Sequence, residues 1–237
     1  MNKNREHHEG VVLPYKSLIT VGGICAVISA AIIPISIIAF FFWPLYPEDI
    51  FSVIQSNRLA GMMGLDLIYL LGSFLSIPIF LTFYVTLKQT NESYSLLALT
   101  LGLIGLVTLF SSRPILEIVS LSDQYALVTT EIQKTELQAA GTALMTLFRG
   151  TAFNIHYVLG TTSLLISSFL MMKSEIYSKS TAYIGIITNI LVFTYYVPTV
   201  GVYLSIVSVI GYLLWWSLLG KQYIQMSSTD QVKFKSK

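Results

Sequence analysis

Residues 18–43 read LITVGGICAVISAAIIPISIIAFFFW, 26 positions without a charged side chain. A secretory signal has an apolar core of only about 7–15 residues followed by a small-residue cleavage site, and neither feature fits this run. It reads as a retained first membrane span, with Pro34 as a kink and Trp43 as an interfacial anchor. The same character extends along the chain. Of 237 residues, 54% are hydrophobic and only 11% are charged, whereas ordinary soluble domains carry about 25% charged residues. Because the apolar residues come in unbroken blocks, the fold class is all-α, a polytopic transmembrane helix bundle.

Further apolar runs place five more spans at about 59–87, 95–119, 152–172, 181–197 and 202–219. Pro44 and Pro47 mark a loop after the first span. The second is too long to cross untilted, so a bend is expected near Pro78. Gly61 and Gly64 in the second span, and Gly102 and Gly105 in the third, allow close helix contact. The polar connection from residue 120 leads into an interfacial or helical segment over 124–148, which Arg149-Gly150 interrupts. Pro198-Thr199-Val200-Gly201 turns the chain tightly between the fifth and sixth spans. The expected domain plan is a polar tail over 1–17, one membrane domain over 18–219 and a basic tail over 220–237.

Charge sets the orientation. With the N-terminus inside, the cytoplasmic segments hold Lys3, Arg5, Lys16, Lys88, Lys173, Lys179, Lys221, Lys233, Lys235 and Lys237. The outer segments hold Arg58 and Lys134, while Arg113 and Arg149 lie within or beside spans. Ten basic residues against two place both termini in the cytoplasm by the positive-inside rule. A single helix over 183–219 would put the C-terminal lysines outside. The tail lysines 233, 235 and 237 serve as topology determinants and can also touch anionic lipid.

Several function classes are excluded or left without support. The net charge of +2 and the absence of a basic face give no nucleic-acid surface. One cysteine, Cys25, allows neither an intrachain disulfide nor a cysteine metal cage. His7 and His8 with Glu6 and Glu9 are a metal-capable set, although a solvated tail is the simpler reading. No glycine-rich phosphate loop or Gly-x-Ser-x-Gly elbow occurs. No cofactor and no catalytic residue is assigned.

The residues that invite a function are the ionisable ones inside the spans. An intramembrane charge is costly and therefore a functional-site hypothesis by default. Arg113 and Glu117, four apart at the end of the third span, would share one helix face. The topology brings Asp66, Arg113, Glu117, Arg149, Asn154 and His156 to the outer half of the bundle, with Tyr195, Tyr196 and Tyr203, while Asn189 stands near mid-depth. Arg113 suits a carboxylate or phosphate because its planar fork donates two parallel hydrogen bonds.

Arg113-x-x-x-Glu117, Asn154-x-His156-Tyr157-x-Leu159-Gly160 and Met171-Met172-Lys173-Ser174 resemble a family of uncharacterised prokaryotic six-span membrane proteins, over about residues 15–222. Where members of that family often open the fifth span with proline and tryptophan, this chain has Ser180-Thr181-Ala182-Tyr183. The resemblance implies a bacterial or archaeal plasma membrane and supplies no activity.

Three readings stand at this point. The polar cluster binds a small ligand, ion or lipid headgroup from the outer side, for sensing or transport. Alternatively it is a helix-packing network in a structural or accessory subunit, alone, as a homo-oligomer or beside another membrane protein. The third reading is an intramembrane enzyme using His156 with Asp66 or Glu117. Beyond the lipid bilayer, no partner is specified.

Overall fold

The computed structural model describes the backbone of residues 3–234 and the side chains of residues 14–228. The His7–His8 set and the side chains of Lys233, Lys235 and Lys237 lie outside the described residues. The described chain is helical, with no strand: α1 Lys3–Phe42, α2 Ile50–Ser56, α3 Arg58–Gly64, α4 Leu67–Phe74, α5 Ser76–Leu87, α6 Glu92–Ser111, α7 Ile115–Leu127, α8 Glu131–Met145, α9 Thr151–Lys173, α10 Lys179–Phe193 and α11 Gly201–Phe234. Short 3-10 turns cover Thr146–Arg149 and Thr194–Tyr196. Polar side chains start several helices. Asp49, Asn57, Thr130 and Ser178 each accept a backbone N–H from the first turn of α2, α3, α8 and α10.

Five helical stretches are long and apolar enough to cross a membrane: Pro14–Phe42, Leu67–Leu87, Glu92–Leu127, Glu131–Lys173 and Gly201–Ser228. The expected span at 181–197 corresponds to α10, which has 15 residues and continues into the 3-10 turn. Two expected spans are not continuous helices. The run 59–87 is divided into α3, α4 and α5. Its first break is Asp66, in a left-handed conformation (φ 70°) that aspartate tolerates better than most residues. The second break, at Leu75, follows from Pro78, which lacks the N–H that would bond to the Phe74 carbonyl and crowds that carbonyl. The run 95–119 breaks at Arg113-Pro114, because a residue before proline is pushed out of the helical region. The Ile115 N–H closes back on the Arg113 carbonyl at 2.8 Å, a tight turn centred on Pro114. The expected break at Arg149-Gly150 separates the 3-10 turn from α9.

The chain packs as two compact units. The first comprises residues 1–33, 74–104 and 158–237; the second comprises 34–73 and 105–157. In the first unit helices approach closely over glycine. A Cβ on Gly22 would collide with the Thr82 hydroxyl, one on Gly185 with Ser168 and Trp215, and one on Gly211 with Thr188. Several buried hydroxyls satisfy one another or a carbonyl. Thr86 Oγ1 lies 2.6 Å from Tyr177 Oη, which lies 2.7 Å from Tyr223 Oη. Asn189 donates to the Gly185 carbonyl at 2.7 Å and accepts from Tyr212 at 3.0 Å. Burial pushes the Tyr177 phenol, in the α9–α10 turn, above its ordinary pKa.

The second unit holds the short helices. On α7 the buried positions are Ile115, Ile118, Val119 and Ser122, the i, i+3, i+4, i+7 stripe of an amphipathic helix. That stripe packs with Ile50, Phe51 and Ile54 of α2, with Leu65 and with Phe148. Gly61 lets α3 lie against α2, since its Cβ would stand 2.9 Å from Ile54 Cα.

Candidate functional site

The buried charge of the second unit is Arg113, and its partner is Asp66. The guanidinium Nε and Nη2 both donate to Asp66 Oδ2, each at 3.2 Å. The Arg113 side chain is 2% exposed and that of Asp66 is 8%. The opposite edge of the guanidinium is also occupied. Nη1 donates to Ser112 Oγ at 2.9 Å and to the Phe148 carbonyl at 3.3 Å. Aromatic rings enclose the planar cation, with Phe153, Phe148 and Tyr69 centroids 5.0, 5.2 and 5.8 Å from Cζ. A desolvated guanidinium over ring faces gains about 1–2 kcal/mol in such contacts.

Local backbone breaks make this pairing possible. Asp66 stands at the left-handed junction of α3 and α4, and Arg113 at the proline junction of α6 and α7. Neither is on a regular helical face. The loop after α1 completes the site. Tyr46, also left-handed at φ 55°, donates its N–H to the Gly64 carbonyl at 2.9 Å and its hydroxyl to Asp66 Oδ2 at 3.3 Å. Burial, with the Asp66 carboxylate beside it, pushes the Tyr46 phenol well above its ordinary pKa, so it remains a donor. Gly64 gives this loop room to cross, since a Cβ there would make a tight 3.2 Å contact with the Pro44 carbonyl oxygen.

His156 forms the other flank. Nδ1 lies 2.9 Å from the Gly105 carbonyl oxygen, and Nε2 lies 3.0 Å from Tyr69 Oη. A carbonyl only accepts, so Nδ1 carries a proton and donates to Gly105, while Nε2 and the Tyr69 hydroxyl share the second hydrogen bond. Both nitrogens are thus engaged, and neither contact is with a carboxylate. Among the described residues no three His, Cys, Asp or Glu side chains converge as a metal site.

The sequence-predicted residues therefore separate. Asp66 and Arg113 form the pair, with His156 linked to the same aromatic shell through Tyr69. Glu117 does not share a helix face with Arg113, because Pro114 ends the helix between them; it is exposed in the first turn of α7. Arg149 is exposed, with Cζ 5.6 Å from the Tyr46 ring centroid. Asn154 donates to the carbonyls of Arg149 and Gly150 at 3.1 and 2.9 Å, tying the start of α9 to the preceding turn. Tyr195, Tyr196, Tyr203 and Asn189 belong to the first unit. A surface cleft of about 310 Å³ in the second unit is lined by Pro47, Glu48, Asp49, Ile50, Phe51, Gln138, Gly141, Thr142 and Met145, and by none of the predicted polar residues.

Sequence reasoning missed Tyr46, Tyr69, Ser112, Phe148 and Phe153. Only Tyr46, between two prolines, and Ser112, beside the arginine, carry a local signal. The aromatics of an apolar run look alike whether they face lipid or a cation. Neither family models, curated proteins nor solved structures give a match to this chain. What the arrangement does chemically is to neutralise and desolvate one arginine completely. It presents no open donor fork and no paired acid and base.

Proposed function

We propose that this chain is a non-enzymatic, multi-pass plasma-membrane protein in which Arg113 and Asp66 form a structural clamp. In this reading the chain has six spans, both termini are cytoplasmic, and the protein serves as a structural or accessory subunit. The observation that carries the clamp is the closure of Arg113: its side chain is 2% exposed, its donors face Asp66, Ser112 and Phe148, and aromatic rings flank it. An arginine awaiting a carboxylate or phosphate ligand would keep part of its fork open to solvent.

The five long apolar stretches support membrane embedding. A sixth span rests on α10 with its 3-10 extension, roughly 28 Å by helical rise, close to the roughly 30 Å hydrocarbon core. The ten-to-two distribution of basic residues supports the orientation. The plasma membrane follows from the resemblance to the six-span prokaryotic family.

A thermal-shift titration of the purified protein with small carboxylates and phosphates tests the clamp reading. The expected result is no saturable stabilisation of wild type, together with a lowered unfolding midpoint for Arg113→Met in the absence of any additive. Saturable stabilisation that Arg113→Met abolishes would make the cluster a ligand site instead.

A further inference from the structure

The charged side chains of the first unit gather at one end. Among its described side chains the cations are Lys16, Lys88, Lys173, Lys179 and Lys221, and the acids are Glu92 and Glu175. Hydrogen bonds bring these segments together. Lys88 Nζ donates to Tyr15 Oη at 2.9 Å, beside Lys16 in sequence, and sits 4.3 Å from the Tyr15 ring centroid. The Thr86–Tyr177–Tyr223 hydroxyl chain joins the end of α5 to the α9–α10 turn and to α11. Gln222 donates to the Ile176 carbonyl, placing Lys221 beside the same turn, and Lys179 reaches back to the Met172 carbonyl, next to Lys173. Among the described side chains of the unit, five ammonium groups against two carboxylates thus crown one end, and the other described side chains carry no charge.

We propose that this lysine crown is a docking surface for anionic phospholipid headgroups of the phosphatidylglycerol type, retained preferentially over zwitterionic lipid. The inference rests on reading the chain as a membrane protein. Charge complementarity selects the occupant: the crown has a net excess of cations, and apolar helices rise directly from it. A phosphodiester there meets ammonium groups while its acyl chains lie along those helices. The hydroxyl chain at the centre gives the crown its fixed geometry, because it bolts α5, α11 and the α9–α10 turn together. The surface is distinct from the Arg113–Asp66 pair, which belongs to the second unit.

The test uses full-length protein in nanodiscs of phosphatidylcholine alone or mixed with phosphatidylglycerol, measuring the thermal midpoint and the lipids retained after mild detergent washing. Phosphatidylglycerol is expected to raise the midpoint and to be enriched among retained lipids, with both effects falling as salt screens the charges. Lys173→Gln, at an exposed position, should lower the enrichment up to about fivefold, the factor one membrane-adjacent cation carries. Gln at positions 88, 173, 179 and 221 together should lower it further than Lys173→Gln alone, with the helical circular dichroism retained. If that variant does not fold, Lys173→Gln and Lys221→Gln decide the matter singly. Arg58→Gln, in the second unit, should leave the enrichment unchanged. Wild type without a lipid preference, lysine variants that keep it, or an equal loss in Arg58→Gln would each overturn the proposal. So would stabilisation by a soluble acidic peptide without any response to phosphatidylglycerol. Failure to enter nanodiscs at all would instead refute the membrane reading beneath it.

Discussion

Replacing Arg113 by methionine removes the cation and leaves Asp66 as a buried carboxylate whose remaining donor is Tyr46. Breaking a buried pair from one side costs about 3–5 kcal/mol, chiefly the desolvation of the charge left behind. Methionine is unbranched and polarizable, so it can fill the slot between Phe148, Phe153 and Tyr69, and packing loss is a minor part of that figure. Asp66→Asn then removes the orphaned charge while keeping an acceptor for Tyr46 and a residue that tolerates φ 70°. The double variant is expected to lie only about 1–2 kcal/mol below wild type, about 2–3 kcal/mol more stable than Arg113→Met alone, and the coupling exceeds that difference by whatever Asp66→Asn costs on its own. Unfolding by SDS from mixed micelles, followed by circular dichroism, measures all four corners of the cycle. Trp43, in the second unit, offers a local fluorescence reporter if Trp215 and Trp216 are replaced by phenylalanine in every corner. An Arg113→Met variant within about 0.5 kcal/mol of wild type, or single effects that simply add, would refute the clamp.

Glu117→Gln should change stability by less than about 0.5 kcal/mol in the same assay, because the carboxylate is exposed and outside the network. Tyr46→Phe keeps the ring against Phe148 and loses the bond to Asp66, at a cost of about 1.5–3 kcal/mol. Gly61→Ala forces α3 away from the backbone of Ile54; overpacking of about 1–3 kcal/mol outweighs the gain in helix propensity, and the unfolding midpoint falls.

How much of this was legible depended on which physical signal each residue leaves in the sequence. The apolar blocks, the two-proline loop at 44–47 and the Arg149-Gly150 interruption are written in composition, and the helices follow them. Arg113 was also visible as an arginine in an apolar run. Its partner was not, because helical spacing favours Glu117, and only the pre-proline position of Arg113 warns that the helix stops there. Asp66 was recognisable as a buried acid, but nothing local distinguishes a left-handed junction from a helix interior at that position. The aromatic shell was illegible for a simpler reason: Phe148 and Phe153 differ from lipid-facing phenylalanines only in what the fold places beside them. The lysine crown was half legible, since its members set the expected orientation, while their convergence depends on the buried Thr86–Tyr177–Tyr223 chain.

The central claim is a multi-pass membrane protein whose lysine-bearing end faces the cytoplasm. Single cysteines placed at Gln133 and at Lys179, in a Cys25→Ser background, test it most directly when labelled with an impermeant thiol reagent in intact cells. The account predicts labelling at position 133 without permeabilisation and at position 179 only after it. Labelling of position 179 in intact cells, or equal access to both positions, would contradict it.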